Sequence, residues 1–541
     1  MSEHESHIDL PPWVSLDITN ISVALAVLGG YLITVNQVSF LLKERLLLSS
    51  ALVAFCCGIA FGPIGTNWIS PYIWTGHDGG SLNMLTFQIC RIVIGIQVLF
   101  AGIDLPAAYL RREAFSLFML LIPVMTLAWL VCGGFIFLLV KNITFLEALA
   151  IAACVTPTDP ILANAIVKGR YAEKNVPSRT RNILSAESGA NDGLGYPFLF
   201  LAVFLMEYND DQKRSISASL RHWVVTTWLY QIFLACALGA VIGFVGRKTL
   251  KYAHNHSYID HESFLAYGVG LALFTLGVVG VLGSDDVLAC FVAGNSLTWK
   301  DFYRIEASEE DTFQGVIDSL LDTATFIYIG SIIPWSSFTS EYLSPWRLVL
   351  LAIALLLFRR IPFVLGLYKA IPALEEFGPI GVSALYYAIL ALHVLPENRT
   401  ALREVIFPVV IFIAMSSTIV HGISIPLFKA APHAMKRTKS SMSTASARVF
   451  TRTKSAPASV EERGTPGSQA QSRVVSRRPS VDEMVGTDDG AVAAQLKAPQ
   501  EGRSSAEMAR ELEPEQAEKG QAGPPSSAPR EQPSKVEFSL P

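Results

Sequence analysis

The sequence predicts an all-α polytopic membrane protein, and three observations carry that reading. First, the chain is 51% hydrophobic with a mean hydropathy of +0.40, although its C-terminal stretch is polar. Second, the apolar residues fall into about 13 runs, many near the ~20 residues that a helix needs to cross a hydrocarbon core. Third, carboxylates stand inside two of these runs, at Asp159 and at Glu187 and Asp192. A charge at that depth is tolerated only with a partner, a cation or a proton. The same composition argues against other classes. No basic face interleaved with aromatics points to nucleic acid. No nucleotide loop, His-rich metal motif or Ser/His/Asp grouping points to an enzyme, and no resident cofactor is expected.

In chain order, residues 1–17 form a short polar segment without the basic region and cleavage site of a signal peptide. The run at 18–42 is therefore expected to stay as the first helix. Runs follow at 45–65, 84–105 and 114–140. Cys56, Cys57, Cys90, Cys132, Cys154, Cys236 and Cys290 all fall in apolar runs without metal-ligand spacing. They read as small buried side chains.

The fifth run, 144–167, contains Thr156-Pro157-Thr158-Asp159-Pro160. Its two prolines remove backbone donors and clash with earlier carbonyls, so the helix must break near mid-membrane. Irregular backbone at that depth has to be buried in protein or line a cavity. Asp159 and the Thr hydroxyls then sit beside freed carbonyls and a half-helix end, which is how transporters build cation sites. A plain Pro-kinked helix with Asp159 as a cap is the alternative. The sixth run, 180–207, puts Glu187, Ser188, Asn191 and Asp192 on an arc of about 140° at ~100° per residue. These oxygens suit a hard cation such as Na+, and a structural ion-pair network is the alternative. Gly189, Gly193 and Gly195 permit a neighbouring helix to approach closely.

The runs at 223–246 and 258–282 flank a loop with His254, His256 and His261, which reads as solvated. The short ninth run, 285–299, opens on Asp285-Asp286. The tenth, 312–333, carries Asp318 and Asp322 one turn apart. Each of these acids reads as a helix-end or vestibule charge as readily as a transport ligand. Arg91, flanked by Gln88 and Gln97, reads as structural. The eleventh run, 346–369, holds Arg359 and Arg360, which need a counter-charge. Glu187 is expected to supply it, to Arg359 in preference to Arg360. Runs at 378–395 and 404–428 carry Gly or Pro interruptions and close a transmembrane domain of residues 18–428.

From 429 to 541 the composition turns to Ser, Pro, Gly, Glu and Ala, which cannot bury enough apolar surface to order itself. The basic stretch 429–454 reads as an anionic-lipid contact beside the membrane or as a topology-fixing charge cluster. Arg477-Arg478-Pro479-Ser480 resembles a basophilic kinase site. With the N-terminus outside, the inside loops carry roughly 15 Lys and Arg against roughly 7 on the other side. That distribution makes the tail cytoplasmic. Beyond roughly Lys454 the tail is expected to regulate transport and to be dispensable for it.

Four motifs in this order and spacing resemble the monovalent cation/proton antiporter superfamily, and specifically fungal plasma-membrane Na+/H+ antiporters of the CPA1 type. They are Thr156-Pro157-Thr158-Asp159-Pro160, Ser185-Ala186-Glu187-Ser188-Gly189-Ala190-Asn191-Asp192-Gly193, Phe358-Arg359-Arg360-Ile361-Pro362 and Ser417-Thr418-Ile419-Val420-His421-Gly422. The resemblance implies thirteen helices in two inverted repeats, a homodimer, and two crossed, broken helices, here at Asp159 and near Gly378-Pro379. It implies that Thr158, Asp159, Ser188 and Asp192 hold the transported Na+, with Asp159 and Asp192 as the charged ligands. It further implies export of Na+, Li+ and K+ for H+. Asn191, Glu187, Arg359 and Arg360 take supporting places, and Asp285-Asp286 resembles an acidic pair of fungal relatives. Asn191-Asp192 departs from the Asp-Asp of electrogenic bacterial relatives, and in the wider family Asn-Asp accompanies electroneutral exchange. The tail is also shorter than in long budding-yeast-type members. A monovalent cation channel is the alternative function, and it lacks a repeated filter motif.

Overall fold

The computed structural model describes residues 21–42, 48–159, 176–210, 215–300, 312–367 and 379–423. Every regular element among them is helical. Segment 1–17, Pro160, Gly378, the basic stretch 429–454 and Ser480 with the rest of the tail lie outside the described residues.

In order the helices are α1 (Ile21–Phe40), α2 (Ser50–Phe61), α3 (Gly79–Asp104), α4 (Ala114–Leu139), α5 (Phe145–Val155), α6 (Ser178–Asn191), α7 (Gly195–Asp210) and α8 (Ile216–Asn255). Then come α9 (His261–Val281), α10 (Asp286–Leu297), α11 (Thr312–Ser331), α12 (Pro345–Phe358), α13 (Ile361–Leu367), α14 (Val382–Val394) and α15 (Thr400–Ile423). Each apolar run predicted from the sequence contains a helix among its described residues. Among the described residues α3, α4, α8, α9, α15 and the α6–α7 pair are long and apolar enough to cross a membrane. By contrast α5, with 11 residues, is about 16 Å long, roughly half of a hydrocarbon core. It stops where the Thr156–Asp159 segment begins.

Polar caps mark many helix starts. Asp78 accepts from Gly80 N and Ser81 N at the head of α3, and Asp260 accepts from Ser263 N at the head of α9. Hydrogen bonds from Ser81 and Ser263 hold these two carboxyls below their ordinary range. Thr144 and Glu147 form a reciprocal capping box on α5, and Arg399 pairs with Glu147 at 3.1 Å.

The structure departs from the sequence reading in three respects. Two runs read as continuous are interrupted. The first is broken at the turn between α6 and α7, and the second bends at Arg359 and Arg360 between α12 and α13. Pro362 accounts for the bend, because its ring lacks an N–H and crowds the carbonyl four residues earlier. Within α4 and α8 the turns widen to π-helix over Leu120–Val124, around Pro123, and over Trp223–Phe233. Finally, Cys90, Cys132, Cys154 and Cys290 are buried as expected, but Cys57 and Cys236 are half-buried and Cys56 is exposed.

The densest packing centres on α10, which lies against α3 and α8. Small residues allow this approach. A Cβ on Gly294 would fall on the Leu99 carbonyl and lie 3.3 Å from Ile103 N, and a Cβ on Gly102 would stand 2.9 Å from Asn295 N. On the other side, Gly239 and Gly243 meet Ala289 and Ala293. These contacts fix α10 and the acidic pair at its head. Gly294→Ala should therefore force two backbones apart and cost about 1–3 kcal/mol. Gly134→Ala, which meets no atom within 4 Å, should be neutral or slightly stabilising. Thermal melting of the two purified variants in detergent compares them, and equal melting temperatures would contradict the packing role.

Candidate functional site

The helical course of α5 breaks off at Thr156–Asp159; this first break exposes three carbonyls and two amides to a buried environment, and each has a partner. The Arg359 side chain, 3% exposed, donates Nη1 to the carbonyls of Val155, Thr156 and Pro157, the last two at 3.4 and 3.3 Å. A guanidinium suits this place because the C-terminus of α5 carries the negative end of the helix dipole. Thr158 N donates to Asn191 Oδ1 at 3.2 Å, and Asn191 Nδ2 donates to Thr158 Oγ1 at 2.7 Å. Asp159 N donates to the Pro379 carbonyl at 3.0 Å.

That last bond joins the first break to a second non-helical segment, which ends where α14 starts. Residues Pro379–Gly381 are not helical, and α14 begins at Val382. Val382 N donates to Asp159 Oδ2, so the Asp159 carboxylate sits on the positive N-terminal end of α14. Gly381 is required there, since a Cβ would fall on that carboxylate. Ile380 N is held by Ser417 Oγ at 2.8 Å, and Ser417 Oγ lies 3.1 Å from His421 Nδ1. The motif from Ser417 to His421 thus closes the second break.

The third component is the end of α6. Glu187 Oε2 forms a buried ion pair with Arg360 Nη2, and Glu187 Oε1 accepts from Asn191 Nδ2 at 3.1 Å. The sequence reading gave Glu187 to Arg359; the partner is Arg360. The bend before Pro362 separates the two guanidiniums, sending Arg359 to the α5 carbonyls and Arg360 to the carboxylate. Asn191 links the elements, since it holds Thr158 twice and Glu187 once. Ser188 Oγ donates to the Ser185 carbonyl at 3.3 Å.

Asp192, 1% exposed, differs from all of these. Among the described residues neither of its carboxylate oxygens has a hydrogen-bond partner. The carboxylates of Asp159, Asp285 and Glu187 lie within electrostatic reach of it. Its carbonyl, by contrast, is firmly held. Tyr387 Oη donates to the Asp192 carbonyl at 2.5 Å and to the Gly193 carbonyl at 3.1 Å, which fixes the turn between α6 and α7.

The other acids divide. Asp285 caps α10 with Oδ1 on Leu288 N at 2.9 Å. Among the described residues its Oδ2 has no hydrogen-bond partner, and it lies 3.1 Å from where a Gly193 Cβ would be. Asp286 pairs with Arg91 at 2.5 Å, and Arg91 also donates to the Leu276 carbonyl and to Gln88. Asp322 accepts from Gln97 Nε2 at 2.6 Å. His254, His256 and His261 stand at the α8–α9 junction, away from these groups.

The site therefore brings together Thr158, Asp159, Glu187, Ser188, Asn191, Asp192, Arg359 and Arg360, as the sequence reading grouped them. It also contains residues which that reading missed: Ser383, Tyr387, and the Tyr196–Tyr386 hydroxyl pair at 3.1 Å. A usable signal was present, because a tyrosine inside an apolar run needs a partner for its hydroxyl.

Residues 25–430 match the family described as sodium/hydrogen exchanger, transmembrane. The chain is 39% identical over 444 residues to a probable Na+/H+ antiporter of Schizosaccharomyces pombe, covering 77% of this chain and 57% of that one. It is 36% identical over 450 residues to a Na+/H+ antiporter of Saccharomyces cerevisiae, covering 78% and 45%. A second Na+/H+ antiporter of S. pombe is 34% identical over 438 residues, with 76% and 91% covered. The chain thus spans about half the length of the first two relatives. A solved sodium proton antiporter of Methanocaldococcus jannaschii shares the fold, with a TM-score of 0.53 and 18% identity over 74% of this chain and 99% of that one.

Removing one partner of the Glu187–Arg360 pair leaves a buried charge uncompensated, at a cost of about 3–5 kcal/mol. Glu187→Ala and Arg360→Ala should each sharply lower the yield of monodisperse protein in gel filtration. The exchange Glu187→Arg with Arg360→Glu should recover part of it. Arg359→Ala should be equally damaging but should not be rescued by any change at position 187. Normal yield of Glu187→Ala would contradict the pairing role.

Proposed function

Because the chain belongs to the sodium/hydrogen exchanger family, we propose that it is a secondary active antiporter exporting Na+, Li+ and K+ in exchange for protons. Its service is cation and pH homeostasis. The observation that carries this reading is the Asp192 carboxylate, buried without a hydrogen-bond partner among the described residues where the two helix breaks meet. A charged carboxylate there is costly, so between cations it holds a proton. An arriving Na+ favours the charged form and expels that proton. Proton and cation are then mutually exclusive occupants, and two-sided access converts exclusion into exchange.

The remaining roles follow from the hydrogen bonds. Ser188 Oγ donates its own proton to Ser185, which keeps its lone pairs for a cation. Thr158 Oγ1 accepts one bond from Asn191 and has a second lone pair to offer. Asp159 supplies charge from the head of α14. Asn191, Glu187, Arg359 and Arg360 hold the two breaks in register. Asp285 and Asp286 are accessory acids at the head of α10. The relatives named as Na+/H+ antiporters favour coupled exchange over a cation channel.

The wider reading is a homodimer in the plasma membrane, with residues 18–428 as a transmembrane domain of thirteen helices. The segment 1–17 precedes it, and the tail 429–541 is cytoplasmic. The basic stretch 429–454 meets anionic lipid, and phosphate on Ser480 weakens that attachment by adding about 1.5–2 negative charges.

Asp192→Asn keeps size and hydrogen bonding but removes titration. It should abolish Na+-dependent proton movement by the purified protein in liposomes across a pH series, while the protein stays folded. Asp159→Asn should cause a severe but incomplete loss through weaker cation binding. If Asp192→Asn retains coupled exchange with an unchanged pH profile, the carrier carboxylate lies elsewhere, with Asp285 and Asp286 next in line.

A further inference from the structure

Ser383 is a serine in the first turn of α14, 1% exposed. Among the described residues its hydroxyl has no hydrogen-bond partner. An unpaired buried hydroxyl costs stability, and a serine so near a helix start usually caps it. Ser383 does not act as a cap, because its Oγ accepts no backbone amide. Its surroundings indicate another use. Val382, the preceding residue, gives its N–H to the Asp159 carboxylate. Tyr387, one turn later and on the same helix face, gives its hydroxyl to the Asp192 carbonyl. Ser383 therefore lies between the residue of α14 that binds the Asp159 carboxylate and the one that binds the Asp192 main chain, with its hydroxyl within reach of the Asp192 carboxylate.

Three buried oxygens on these facing elements thus lack a hydrogen-bond partner among the described residues: both oxygens of Asp192, and Ser383 Oγ. The Asp159 carboxylate neutralises the positive end of α14 at that point, so a cation is not repelled by the helix dipole. From this juxtaposition we propose that Ser383 is a further cation ligand, the hydroxyl through which α14 contributes to the site around Asp192. The inference rests on the reading of Asp192 as the carrier carboxylate and extends it to a residue on a third element. A serine hydroxyl is a hard oxygen donor. Supplied from α14, it makes cation binding depend on the contact between the two breaks, because the same turn of helix also holds Asp159.

The test uses the full chain, purified and reconstituted in liposomes, with Na+, Li+ and K+ chlorides as probes at fixed pH. Ser383→Ala should raise the KM for Na+ on the order of tenfold, equivalent to about 1.4 kcal/mol. Its maximal rate at saturating Na+ should stay close to that of the parent protein, the signature of lost ground-state binding. The ratio of Na+ to K+ affinity should change with it. Ser383→Thr, which keeps the hydroxyl, should restore the Na+ KM. If Ser383→Ala does not give monodisperse protein, Ser383→Cys makes the same comparison, since a thiol is a poor donor to a hard cation. Unchanged KM values, or a fall in maximal rate for all three ions at constant KM, would overturn the ligand role. Asp192→Asn, assayed alongside, separates the two failures. Retained exchange in that variant defeats the site reading itself, whereas loss of exchange in Asp192→Asn with unchanged kinetics in Ser383→Ala defeats only this inference.

Discussion

A helix broken inside an apolar body leaves amides and carbonyls that water cannot reach, and the rest of this structure depends on how they are satisfied. Each unsatisfied group costs several kcal/mol in hydrocarbon. The break after α5 is therefore surrounded by donors and acceptors from three other elements. Arg359 takes its carbonyls, Asn191 takes Thr158, and Pro379 and Val382 take the amide and carboxylate of Asp159. No single one of these elements is complete alone. The two breaks are partners because each supplies what the other lacks.

This constraint explains why charges are scattered through the apolar core in matched sets. Arg360 and Glu187 neutralise each other, and Glu187 in turn orients Asn191. Asp286 is matched by Arg91. Against that background of satisfied groups, Asp192 stands out through the two oxygens that the described residues leave without hydrogen bonds. Its main chain is fixed by Tyr387 while its side chain keeps its lone pairs. A rigid frame around a reactive carboxylate is what a site needs if cation and proton are to exclude each other there, because relaxation of the frame would let both bind.

Much of this was legible in the sequence, and the reasons are physical. Pro157 and Pro160 inside an apolar run announce a break, and an acid between them announces a site. The arc from Glu187 to Asp192 follows from helix geometry alone. What was not legible depended on helix phase and on contacts distant in sequence. The partner of Glu187 was misassigned because the bend before Pro362 rotates Arg359 and Arg360 relative to a continuous helix. Ser383 and Tyr387 were missed because a lone serine or tyrosine in an apolar run is common, and their distinction lies in facing Asp192 from far along the chain, 195 residues in the case of Tyr387. The π-helical turns within α4 and α8 left no pattern that differs from an ordinary apolar helix.

The central claim is that one proton and one cation compete for Asp192. Proton release by the purified protein in detergent, on titration with Na+ at a series of pH values, tests it most directly, with no transport or membrane involved. Direct competition predicts that each Na+ bound releases a proton. The apparent Na+ affinity should then rise about tenfold per pH unit while the carboxyl is protonated, and level off once it is not. Na+ binding without proton release, or with an affinity independent of pH, would contradict it.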